Sequence, residues 1–223
     1  KEVKPGSILK KESNAKLGTT TLYLSNGAKV TYKKTDFKND EVLMEAVSFG
    51  GSNLYSNDDI KKVQFANGAL SEAGFSGLKK NDINKFMSGK IASVDPYIGN
   101  ITEGLRGSST PKDMEYMFQM THAYFTDLNF DKDAWEGYKK KQSAFYDNMA
   151  SQPNFFFQQE FYTYLNGENP RFNGIIPNEA SWKTTDYELA YNKYKERFAN
   201  AADFEFYFVG NIDDKAIEDY SAK

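Results

Sequence analysis

The chain has 223 residues, 39% of them hydrophobic and 26% charged, an ordinary balance for a globular protein long enough to bury about 70% of its unfolded surface. Its 28 basic and 31 acidic residues leave a net charge of −3 with no basic stripe, which excludes a nucleic-acid surface. The absence of cysteine removes disulfides, thiolate metal sites and cysteine nucleophiles, and no apolar run approaches the ~18 residues of a membrane span.

The chain starts polar, at Lys1 with no signal-peptide core, which reads as a mature product or a piece of something longer. Residues 1–19, rich in Lys, Ser and Gly, show no sustained period and read as an interdomain linker. A hairpin is predicted next, with Leu22–Leu24 leading in and Val30–Tyr32 leading out. Asn26-Gly27 between them predicts a type I′ turn, whose two central residues both take positive φ. A strand over about 41–49 is apolar on both sides, through Val42, Met44 and Ala46 and through Leu43, Val47 and Phe49, and is therefore expected at the centre of a sheet. Gly50 and Gly51 break it. A helix capped by Asn57 or Asp58 follows, with Ile60, Val63, Ala66, Leu70 and Ala73 on one face. A short helix is expected over 81–88 and two strands over about 90–97 and 100–107.

Four helices come next. The first opens at Thr110-Pro111-Lys112-Asp113 and carries Met114, Met117, Phe118, Thr121 and Phe125 in one stripe. The second spans about 131–149, with Trp135, Tyr138, Phe145 and Met149. The third starts near Pro153 and is expected to pack through Phe157, Phe161, Tyr164 and Leu165; the fourth, over 184–199, through Tyr187, Tyr191, Tyr194 and Phe198. A strand from Phe204 to Val209 and a helix from Asp213 close the chain. Residues 20–223 read as a single α+β domain: a mixed, largely antiparallel sheet of about five to six strands with helices packed on one face. The many aromatics, 18 Phe and 15 Tyr, read as core, including the run Phe155-Phe156-Phe157, whose members point in three directions on a helix.

The residues assemble no recognisable chemistry. A catalytic zinc needs three protein ligands and an open position, and the chain has one histidine, His122, which reads as a helix-surface residue. No Gly-x-Ser-x-Gly elbow or phosphate loop occurs, and the paired acids Asp58/Asp59 and Asp213/Asp214 suit helix starts.

Several stretches in order resemble the pitrilysin/insulinase zinc peptidases (inverzincins): the hairpin Leu24–Val30; Phe49-Gly50-Gly51; Val94, Pro96, Tyr97 with Glu103-Gly104-Leu105 and Gly107-Ser108-Ser109; Pro111-Lys112-Asp113; Tyr124-Phe125-Thr126; Phe130-Asp131; Asn169-Pro170-Arg171; and Arg197-Phe198 followed by Asp203-Phe204 through Phe208-Val209-Gly210-Asn211. The series is similar to the third module of the long bacterial members. The resemblance implies the metallopeptidase LuxS/pitrilysin-like α/β roll. Active modules of the family carry His-x-x-Glu-His on the helix after the third strand. The corresponding stretch here, Asp58–Ala73, has no histidine and one glutamate, Glu72, so no catalytic or metal residue carries over, and substrate-binding residues are unknown.

The resemblance therefore implies a non-catalytic domain with no cofactor of its own, zinc residing in a catalytic module of the parent. Its partners would be the catalytic half, in the same polypeptide or another subunit, and peptide substrate enclosed in a chamber that the strand region Arg106–Ser109 faces. The location it implies is the bacterial periplasm or cell envelope. The alternative is a stand-alone peptide-binding or assembly module without peptidase activity.

Overall fold

The computed structural model describes residues 5–223. Seven strands form one mixed sheet: β1 (Ile8–Asn14), β2 (Thr19–Leu24), β3 (Lys29–Lys34), β4 (Val42–Phe49), β5 (Ala92–Ile98), β6 (Thr102–Ser109) and β7 (Glu205–Gly210). Their order is β1-β2-β3-β7-β4-β6-β5. The last strand thus enters between β3 and β4, parallel to β3 and antiparallel to β4. This is the expected α+β class with one more strand than the five to six predicted.

The additional strand is β1, inside the stretch expected to be a linker; Lys1–Lys4 of that stretch lie outside the described residues. It pairs antiparallel with β2 and is exposed along nearly its whole length. An edge strand wet on both faces, with Lys10 and Lys11 on it, has no hydrophobic alternation to announce it. The β2–β3 hairpin forms as expected, but its turn differs. Ser25, Asn26 and Gly27 make a three-residue loop in which the Gly27 N–H donates to the Leu24 carbonyl (3.0 Å) and the Leu24 N–H to the Ala28 carbonyl (2.9 Å). Only Gly27 takes positive φ (88°), while Asn26 Oδ1 accepts from the Ala28 N–H at 3.0 Å. A type I turn closed by a left-handed glycine results, where type I′ needs two positive φ angles.

β4 is interior to the sheet, as expected, but not because it is buried on both faces. Val42, Met44, Ala46 and Ser48 are buried, whereas Leu43 and Phe49 are 48% and 81% exposed. The helices α3 (Met114–Thr126), α7 (Tyr187–Arg197) and α8 (Asp214–Ser221) contribute to one core with the inner sheet face, and the other face is open. Inward residues are Leu22, Val30, Tyr32, Val94, Leu105, Phe206 and Phe208. Aromatic rings fill the gap. Tyr194 stacks on Phe198 at 4.2 Å, Phe125 meets Phe204 edge-on at 4.9 Å, and Phe118 stacks on Phe208 at 4.9 Å. Each such ring contributes roughly 1.5–3 kcal/mol by burial, and the Tyr194 hydroxyl is satisfied by donating to the Tyr124 carbonyl (2.8 Å).

Three helical expectations are corrected. The helix predicted over 58–73 is split into α1 (Asn57–Val63), capped by Ser56, and a separate 3-10 segment, Asn67–Glu72. The apolar face was nevertheless right, since Val63, Ala66, Leu70 and Ala73 are buried. The short helix expected over 81–88 is α2 (Lys80–Phe86), which starts one residue earlier. The third of the four long helices is the largest miss. α4 (Lys132–Ala150) buries Trp135, stacked on Tyr187 at 5.4 Å. α5 (Pro153–Asn166), by contrast, buries nothing. Phe157, Phe161, Tyr164 and Leu165, expected in the core, are 46–84% exposed, as is Phe156 at 61%. A further short helix, α6 (Glu179–Thr184), precedes α7.

The junction from β6 into α3 is tied to the start of β5. Asp113 accepts from the Ile91 N–H (2.9 Å) and from the Thr110 hydroxyl (3.1 Å). The Ile91 amide hydrogen bond holds its carboxyl below the ordinary value of 3.8. A lowered folded-state pKa contributes stability that is complete well above 3.8 and lost as pH falls through the folded value. Asp113→Asn is therefore expected to lower the urea midpoint at pH 7, by a gap that narrows as pH falls below 3.8; a gap independent of pH would refute this coupling.

Candidate functional site

At the end of β4 the chain turns through two glycines into α1, and the buried charge of the fold gathers beneath that turn. Gly50 and Gly51 both take positive φ, 143° and 58°. At Gly51 a Cβ would lie 2.5 Å from the Gly99 carbonyl oxygen and 2.7 Å from backbone atoms of Asn100, so only glycine fits against the β5–β6 turn. The Ser52 and Asn53 N–H groups donate to the Gly99 and Asn100 carbonyls, each at 2.8 Å.

Glu103 lies under the turn, fully buried at 0% exposure. It points inward because it shares a face of β6 with Leu105, pairing across to Ser48 and Ala46 respectively. A buried carboxylate requires a partner, and α7 supplies it. Arg197 donates to Glu103 Oε1 from Nη2 (2.8 Å) and Nε (3.2 Å), while the Gly51 N–H donates to Oε2. The Glu103 hydrogen bond raises the Arg197 pKa further, so the guanidinium stays charged. From the other side Arg171 donates to the Ser52 carbonyl (2.7 Å), the Tyr55 carbonyl (2.9 Å) and Asn57 Oδ1 (3.1 Å). Lys193 pairs with Asp59 at 3.2 Å and lies over the Tyr55 ring. Burial pushes the Tyr55 phenol well above its ordinary value, keeping it neutral.

Chemically this is a clamp. Glu103 is engaged on both oxygens, so it is not free to act as a base or a metal ligand; the two arginines are spent on backbone and carboxylate acceptors. The residues of α1 and the following 3-10 segment turn Val63, Ala66 and Leu70 inward, and the break between them removes the continuous helix on which an i, i+4 histidine pair would project together. This donor set does not fit zinc. No group of three or more His, Cys, Asp or Glu side chains able to hold a metal occurs among the described residues. The adjoining cavity, between Gly68, Leu70 and Pro96–Ile98, has about 240 Å³, under the ~300–1,000 Å³ usual for small-molecule sites.

The residues weighed from sequence fall elsewhere. His122 is exposed on α3, with Nδ1 3.3 Å from Thr126 Oγ1. Arg106 stands on the open sheet face, paired with Glu45 (3.4 Å) and stacked over Tyr97 (4.5 Å), whereas Gly107 in the same strand faces inward against Met44 and Met117. In the expected Phe155–Phe157 core run, Phe157 is instead exposed and stacks on Phe161, 14° from coplanar at 5.8 Å. The clamp itself was missed. One signal for it was present: Glu103 is in phase with the apolar Leu105 along its strand, and an inward charge demands a distant partner.

No family model matches the chain. It is 22% identical over 190 residues to the protein named probable zinc protease PqqL of Haemophilus influenzae, covering 85% of this chain and 20% of that one. The structure of the periplasmic protease PqqL from Escherichia coli superposes with a TM-score of 0.78 at 20% identity, over 100% of this chain and 25% of that one. A peptidase M16 inactive domain from Pseudomonas fluorescens superposes at 0.66 with 16% identity, over 96% of this chain and 49% of that one. The chain has the fold of these peptidase domains. The chain spans about a fifth of the length of the two curated PqqL relatives (20% and 21%). No helix among its described residues is long and apolar enough to cross a membrane.

Proposed function

We propose that this domain, residues 20–223 with the preceding residues joining it to its neighbour, is a catalytically silent third module of a longer bacterial zinc peptidase of the pitrilysin (M16) type. In this reading it helps enclose a proteolytic chamber in the periplasm or cell envelope and contributes to holding peptide there, while zinc and catalysis reside in another module. The observation that carries the reading is the state of the α1 segment. Where an active family member presents two histidines and a glutamate on one helix, this chain has a broken helix whose inward face is Val63, Ala66 and Leu70. The Glu103–Arg197 clamp supports it by fixing the glycine turn above that segment as a rigid wall.

The test compares the 223-residue chain with the longer protein in which it is encoded, using a quenched fluorescent peptide library and added zinc. The chain alone is expected to release no fluorescence, and the longer protein to cleave peptides and lose that activity with a chelator. Chelator-sensitive turnover by the chain alone would overturn the reading. A reading frame with no His-x-x-Glu-His module would instead favour a stand-alone peptide-binding or assembly module.

A further inference from the structure

We infer that the exposed aromatic stripe of α5 is a docking face for an apolar, uncharged surface of another module of the same longer polypeptide; this rests on the multi-module reading above. Phe157, Phe161, Tyr164 and Leu165 sit at i, i+4, i+7 and i+8 and so share one face. They are 66%, 46%, 84% and 58% exposed. The opposite side of α5 is the one that meets the domain, through half-buried Phe155 and Gln159; Gln159 Oε1 accepts the Ile175 and Ile176 N–H groups at 3.1 and 3.2 Å. α5 therefore has its orientation fixed on one side and a bare apolar face on the other. Helices in proteins draw most of their stability from a packed apolar face, and here that face has no cover.

Charge and area select the occupant. Of the 14 residues of α5, Glu160 alone is charged. With no Lys or Arg the helix lacks what anionic membrane or nucleic acid attracts, and an ionic partner would find nothing to pair with. A second copy of this chain is too small an occupant. Fully covered, four such side chains lose on the order of 400–500 Å², so two stripes face to face bury at most about 1,000 Å², under the ~1,200–2,000 Å² of stable interfaces. Within one polypeptide the same contact holds, because tethering raises the effective concentration to about millimolar. The curated relatives supply the tether, since this chain covers only 20–21% of their length.

The experiment is hydrogen exchange of the amides of residues 153–166, measured by mass spectrometry in the isolated chain and in the full-length protein that encodes it. Exchange is expected to be at least tenfold slower in the full-length protein. Phe161→Asp should abolish that difference while moving the unfolding midpoint of the isolated chain little, because the ring contacts of Phe161, with Phe157 and Tyr162, lie within α5 itself. Equal rates in the two proteins would overturn the inference while leaving the silent-module reading intact. A concentration-dependent dimer of the isolated chain that Phe161→Asp dissolves would also overturn it, naming a second copy as the occupant. A full-length frame without further modules would sink both together, whereas equal exchange rates in a multi-module frame sink the inference alone.

Discussion

Glu103→Ala is expected to destabilise the domain by about 3–5 kcal/mol, the range for removing one partner of a buried ion pair. The mutation leaves the Arg197 guanidinium, 18% exposed, without its acceptor and strips the Gly51 N–H of its partner. For a chain of this size each 1 kcal/mol moves Tm by about 2–4 °C, so thermal denaturation should register a fall of roughly 6–20 °C. Glu103→Gln, which keeps one acceptor oxygen and the shape, should lose less. The double variant Glu103→Met with Arg197→Met should be milder than Glu103→Ala, because desolvating the pair opposes its attraction and an apolar replacement of both carries no unpaired charge. A single Glu103→Ala variant within 1 kcal/mol of the parent would show that the clamp is not what holds the β4 glycine turn.

The second large effect is expected at Gly51. Gly51→Ala combines a left-handed φ of 58°, about 1–2 kcal/mol for a residue with a Cβ, with a Cβ placed 2.5 Å from the Gly99 carbonyl oxygen. That neighbour is backbone and cannot swing aside, so overpacking adds about 1–3 kcal/mol. Gly77 separates the two causes. Its φ is 76°, but nothing lies within 4 Å of the point a Cβ would occupy, so Gly77→Ala should show the conformational cost alone, about 1–2 kcal/mol. Urea midpoints of the two variants measure the difference. If they coincide, the close approach of the β5–β6 turn contributes nothing, and the turn is softer than its hydrogen bonds to Ser52 and Asn53 imply.

Both predictions concern residues whose roles were hidden in the sequence. Glu103 and Arg197 are 94 positions apart, and no local pattern joins them. The elements with a strong internal period were legible. The β2–β3 hairpin and β7 form where expected, α3 buries Met114 and Met117 of its stripe, and α7 buries Tyr187, Tyr194 and Phe198 of its own. The same logic failed on α5, where helical spacing identified the stripe correctly but could not say that nothing among the described residues covers it. It failed differently on β4, whose Leu43 and Phe49 are apolar and yet lie on the open face. Hydrophobicity marks residues that gain by burial; whether an element is there to bury them is a question about the rest of the molecule.

Composition alone, with one histidine and no cysteine, leaves few ligands of the usual kind for a catalytic zinc. Sequence by itself determined the α+β class and the faces of several elements, since side-chain period is a local property of the backbone. Only the tertiary structure decided that β7 lies between β3 and β4, that residues 8–14 pair as an edge strand, that the helix expected over 58–73 is broken after Val63, and that Glu103 meets Arg197. Each depends on contacts between segments far apart in the chain, whose geometry is set by packing the whole core together.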